Sequence, residues 1–155
     1  MTITKSSLSR WDMRSACRVR GGNNISLDGF RERISEKLCD EYGLHAKVEL
    51  TTMITGKLLD KSTWKCIVIS SLDHPNDYNY IVISYEAQGI FGLFDFFMGG
   101  NSKNAARLNA GGREHSTLTG QIIGAVRKAM VSENQLHEEE MFYTSINDAL
   151  DEIFE

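Results

Sequence analysis

Two β-branched apolar runs lie close together in the middle of the chain, Trp64 to Ser71 (WKCIVISS) and Tyr78 to Glu86 (YNYIVISYE). A strand with one wet face alternates apolar and polar residues, whereas these runs are apolar at odd and even positions alike. They belong in the middle of a sheet. The stretch before them, Ala46 to Thr55, does alternate: Val48, Leu50, Thr52 and Ile54 fall on one side, and Lys47, Glu49, Thr51 and Met53 on the other. It reads as a strand with one wet face. The connectors GKLLDKS and LDHPNDY carry the Gly, Pro, Asn and Asp residues that turns require, so the simplest pairing is an antiparallel meander.

Helical periodicity flanks this region. Ser26 is placed as the N-cap of a helix through Tyr42, with an apolar stripe of Leu27, Phe30, Ile34, Leu38 and Tyr42 and Gly43 at the C′ position. Thr117 to Val131 is amphipathic through Leu118, Ile122, Val126, Ala129 and Met130. Ser132 and Gln135 match a capping box, which predicts a new helix from there to the C-terminus. Its stripe is Leu136, Tyr143, Ile146, Leu150 and Ile153, broadened by Phe142, Ala149 and Phe154. The expected fold is α+β, an antiparallel three- or four-stranded meander with an N-terminal helix and two C-terminal helices packed on it. With 155 residues and no composition break, residues 1–155 are expected to form a single domain. Within it, 1–25 is a basic N-terminal arm and 133–155 an acidic C-terminal helix.

Residues 87–114 fit none of these patterns and read as a long loop, with a short helix predicted from Ser102 to Asn109. The loop opens on Ile90, Phe91, Leu93, Phe94, Phe96, Phe97 and Met98 around one acid, Asp95. Its expected role is a core plug whose outer edge contacts a partner or a second copy of the chain.

The three cysteines, Cys17, Cys39 and Cys66, suit neither a disulfide framework nor a paired metal half-site, and so predict reduced thiols and a cytoplasmic location. Cys39 and Cys66 lie among apolar neighbours and read as structural thiols. The first twenty residues are basic and serine-rich, but Asp12 and the lack of an apolar core predict no leader. No run of about 18 apolar residues predicts a membrane span.

The chain contains no GxSxG, HExxH, GxxxxGK[ST] or strand-linked GxGxxG sequence, and no catalytic residue, metal site or cofactor is assigned. His45, His74, His115 and His137 are scattered. A site assembled from dispersed residues, such as Cys66 with His74, is the least supported reading. His137 to Glu140 is rich in ligand types, although an acidic helix surface explains it without an ion.

The net charge of −4 conceals an asymmetry. Residues 133–155 hold eight acids and no Lys or Arg; the other 132 residues hold 17 bases and 13 acids. The C-terminal segment is therefore −8 and the rest +4. This split, with the Phe-rich loop, points to a non-enzymatic intracellular protein-binding module, an adaptor or small inhibitor of a larger partner. The residues expected to bind are Glu138, Glu139, Glu140, Asp148, Asp151 and Glu152, with Phe91, Phe94 and Phe97; homo-oligomerisation is a related expectation. The alternative is a nucleic-acid or phosphate-ligand binding protein. It would use an Arg10, Arg14, Arg18 ridge, were that segment helical, and the Gly-rich loop 99–113 with Lys103, Arg107 and Arg113. Pairing of the N-terminal arginines with the C-terminal acids competes with both.

Overall fold

A computed structural model describes residues 2–56, 61–100, 102, 104 and 119–155, with side chains of the last segment from residue 134 onward except 135. The chain is α+β. Its strands are β1 (Thr2–Thr4), β2 (Ser9–Arg10), β3 (Cys17–Arg20), β4 (Ala46–Thr55), β5 (Ser62–Ser71), β6 (Tyr80–Gln88) and β7 (Phe91–Gly99). The helices are α1 (Leu27–Ser35), which continues as a π-helical turn over Glu36–Glu41, and α2 (Thr119–Phe154).

The predicted meander exists as β4-β5-β6-β7, but it is the centre of a larger, curled sheet. Seven strands run in the order β1-β4-β5-β6-β7-β2, with β3 also pairing along β7. Among the described strands, only β1 and β4 pair in parallel. The prediction of three or four strands fell short because the N-terminal arm adds short strands at both edges. It also fell short because the Phe-rich run is strand β7 and not a loop. Gly89, at φ 61°, makes the two-residue turn that folds β7 back on β6, pairing Gln88 with Phe91. Alternation then sends Phe94, Phe96 and Met98 to one face and Phe97 to the other, and both faces are buried there.

Helix α1 matches its prediction. Ser26 Oγ accepts a hydrogen bond from the Gly29 N–H at 3.2 Å, and Gly43 takes the left-handed conformation at φ 64° that ends the helix. The two predicted C-terminal helices are one helix of 36 residues, so among the described residues two helices rather than three pack with the sheet. A capping box marks a possible start and does not force one. Nothing between 125 and 154 is Gly or Pro, and Ser132 costs a continuous helix little. The predicted Ser102 to Asn109 helix lies largely outside the described residues.

Both sheet faces are covered, by different elements. On the inner face, Phe30, Ile34 and Leu38 of α1 and Phe142, Tyr143, Ile146, Leu150 and Ile153 of α2 pack on Val48, Ile67, Ile69, Ile81, Ile83, Phe94, Phe96 and Met98. On the outer face, Ile3, Met53, Cys66, Val68, Val82 and Phe97 form a second, smaller cluster joined by Leu8 and Tyr80. β1 sits at one edge of the sheet and β2 at the other, so Lys5–Leu8 crosses this face as a strap. The predicted wet side of β4 is therefore dry at Thr51 and Met53.

The arm is pinned at its far end. Trp11 is buried against Phe96, and Arg14 reaches α2, donating to Asn147 Oδ1 at 3.1 Å and pairing with Asp151. The Arg14 guanidinium also lies over the rings of Phe96 and Phe154. The N-terminal arm and the acidic end thus do pair.

Candidate functional site

Three segments far apart in the chain meet at one end of the sheet and enclose a cleft of about 360 Å³. The first is Gly43 to His45, which leaves α1 for β4. The second is the β5–β6 connector. There Ser71 Oγ accepts from the His74 N–H at 3.0 Å, and the His74 carbonyl accepts from the Asp77 and Tyr78 N–H groups. This turn holds His74 stacked on Tyr78, ring centroids 4.4 Å apart. A backbone bond from the Leu72 N–H to the His45 carbonyl ties the two segments together at 3.0 Å. The third is α2, whose helical spacing brings His137, Glu138, Met141, Phe142 and Ser145 to the opening.

The cleft has an apolar floor of Leu44, Tyr78 and Phe142, with Met141 left 49% exposed. Its polar lining includes His45, His74, His137, Asp73 and Glu138. His45 Nδ1 stands 3.0 Å from Asp73 Oδ2 and His74 Nδ1 3.8 Å from Asp77 Oδ2. Burial first, and then the charges of Glu138, Glu139, Asp73 and Asp77, hold the Tyr78 phenol above its ordinary pKa. Two carboxylates from two elements, Asp73 and Glu138, thus stand at the cleft beside its apolar floor. Among the described residues, no group of three His, Cys, Asp or Glu side chains is arranged to hold a metal ion.

The acids predicted on the C-terminal helix divide into three groups. Glu138, Glu140 and Asp148 are exposed. Asp151 pairs with Arg14, while Glu152 accepts from Tyr42 Oη at 2.7 Å and from Lys37 Nζ at 3.4 Å. The Tyr42 bond lowers the Glu152 pKa and pushes the phenol up to about 12. Glu139 is fully buried and does not belong to the exposed strip. It accepts from Ser102 Oγ at 2.7 Å and from Tyr143 Oη at 3.0 Å, and Tyr143 Oη in turn accepts from the Asn79 N–H at 2.8 Å. Burial raises the Glu139 pKa against the opposing effect of these donors. The network ties Ser102 and the β5–β6 connector to α2.

Phe94 and Phe97 are core residues on opposite faces of β7, and Phe91 is half-buried beneath the Arg18 guanidinium, 5.3 Å away. The arginines form no helical ridge. Arg10 and Arg18 lie on strands facing outward, with Arg10 donating to both Asp95 carboxylate oxygens at 3.0 and 3.3 Å, while Arg14 turns inward. Lys103, Arg107, Arg113 and His115 lie outside the described residues.

Sequence reasoning did not single out Asp73 or Met141 as site residues, and named His45 and His74 only as scattered residues, His74 with Cys66 as a dispersed pair. LDHPNDY has the composition of an ordinary turn, and only the return of the chain onto α2 makes it one wall of a cleft. Among the described residues no helix is long and apolar enough to cross a membrane. No family model, curated protein or solved structure matches the chain.

Proposed function

We propose that the chain is a non-enzymatic intracellular protein-binding module, an adaptor or small inhibitor, that takes a basic segment of a larger partner into the cleft beside α2. The observation that carries this reading is the convergence of Asp73 and Glu138 on a cleft with an apolar floor and Met141 exposed. A segment with one apolar anchor flanked by Lys or Arg matches both features. The anchor contributes burial, and the charges contribute approach rate and selectivity against acidic partners. In this reading the acidic end of the sequence acts at the cleft through Glu138, which is exposed there. The Phe-rich run drops out, because Phe94 and Phe97 are committed to the cores.

A fluorescein-labelled peptide of alternating leucine, lysine and arginine, compared with its glutamate counterpart, tests the reading by fluorescence anisotropy. The basic peptide binds the full chain, and Asp73→Lys with Glu138→Lys weakens it at least about tenfold, or about 1.4 kcal/mol. Met141→Asp weakens it as well. Equal binding of the two peptides, or affinity unchanged in the charge-reversed variant, overturns the proposal.

A further inference from the structure

The strap covers only part of the outer face. Regular pairing between β5 and β6 stops at Cys66 and Ser84, although both strands run on, to Ser62 and Gln88. A groove of about 280 Å³ lies there, lined by Trp64, Met53, Ser84, Glu86, Leu93 and Lys5 among others. Trp64 is 40% exposed at its edge, held by its indole N–H donating to Thr55 Oγ1 at 3.2 Å. A large flat aromatic surface is thus fixed in orientation and open to solvent.

One cation, Lys5, lines the groove, and three arginines stand across β6 and β7 from Trp64. The antiparallel register sets Arg10 opposite Phe97, Arg18 opposite Leu93 and Arg20 opposite Phe91, which puts all three on this face, and all three are exposed. Lys5 lies 5.6 Å from the Phe97 ring. Among the described residues at this end of the face, these four positive charges meet two acids, Asp95 and Glu86. Both acids line the groove; the two Asp95 oxygens accept from Arg10, and Glu86 Oε2 accepts from Gln88 Nε2 at 3.4 Å.

We propose that this end of the outer face binds single-stranded nucleic acid. One base enters the groove and stacks on Trp64, Glu86 accepts from an exocyclic amine of that base, and Arg18, Arg20, Arg10 and Lys5 follow the neighbouring phosphates. Stacking on a fixed aromatic plane combined with a cationic track is the chemistry that recognises an unpaired strand. A carboxylate acceptor beside the ring suits cytosine or adenine amines and repels an acidic peptide side chain. This surface lies on the other face of the sheet from the helix-packed core, and the proposal does not depend on the peptide cleft.

The test titrates the full chain with a fluorescein-labelled oligodeoxycytidine and, separately, with labelled polyglutamate, following anisotropy. The oligonucleotide binds at about 50 mM salt and weakens steeply toward about 200 mM as counterions are released, while polyglutamate binds more weakly. Trp64→Leu lowers affinity about tenfold or more, and Trp64→Phe, which keeps an aromatic plane, retains most of it. Arg18→Glu with Arg20→Glu weakens binding and flattens its salt dependence. Circular dichroism matching the parent confirms that each variant is folded. Absence of binding at low salt, affinity indifferent to both sets of substitutions, or polyglutamate binding as tightly as the oligonucleotide overturns the proposal.

Discussion

The two faces of the sheet are buried by elements of very different capacity. On the inner face, helices deliver an apolar side chain every three or four residues, and among the described residues nine from the helical segments close over nine of the sheet. On the outer face a short strap and one edge strand supply little more than Leu8 and Ile3, so the cluster is small and the sheet beyond it stays open. The lesson is that completeness of cover decides where binding chemistry is left over. The inner face exposes it at its rim, as in the cleft, whereas the outer face exposes it on the sheet itself.

Truncation of one phenylalanine on each side of β7 gives the largest effect and tests this comparison directly. Phe94 is enclosed by Phe30, Tyr85 and Phe154, with ring centroids 5.0 to 5.1 Å away. Phe94→Ala should lose about 3–5 kcal/mol in urea unfolding. Phe97→Ala should lose less, about 2–3 kcal/mol, because the flexible stems of Lys5 and Arg10 above it can settle into the space. Equal losses would mean that the strap packs as tightly as the helices.

Arg14→Ala separates the strap from the helices at their join. Removing a charge-assisted hydrogen bond and its packing on two rings should cost about 1–3 kcal/mol. Amide exchange should speed up in β2 and β3 and stay slow in β5 and β6. Unchanged exchange in β2 would show that the arm is held by its backbone pairing with β7 alone.

The smallest expected effect is a pH dependence. Burial raises the native pKa of Glu139, so the folded state holds that proton more tightly than the unfolded chain does. The contribution to stability is greatest below the ordinary glutamate value of about 4.3 and declines as pH rises through it to the raised native value. Glu139→Gln abolishes that decline. Stability curves of parent and variant should therefore diverge with rising pH across this window, and parallel curves would show that the surrounding donors fully compensate the burial.

Local signals placed most of the regular structure. Ser26 and Gly43 marked the ends of the first helix because capping and the left-handed turn depend on those residues alone. β4 to β6 were legible from their apolar content. β7 was not, because its run is interrupted by Gly92 and lacks the β-branched residues that marked β5 and β6, although Asp95 sits in the same two-residue period as Leu93 and Phe97. Ser132 was misread for the opposite reason: its local pattern permits a helix start, and the surrounding chain favours continuation. The cleft and the outer groove were legible only as unassigned residues, His45, His74, His137 and Trp64, since each depends on contacts between distant segments.

By itself the sequence determined an α+β chain with an apolar meander and helices on it, along with a charge split between a basic body and an acidic end. These follow from periodicity and composition, which act over a few residues or over the whole chain. Only the tertiary structure decided which charges remain available. It set Arg14 against Asp151 and Glu152 against Lys37 and Tyr42, buried Glu139, and left Glu138 over one groove and Arg18 beside another. Formal charge is a property of a residue, but the field a partner meets depends on distance and burial, and both are settled only when remote segments pack together.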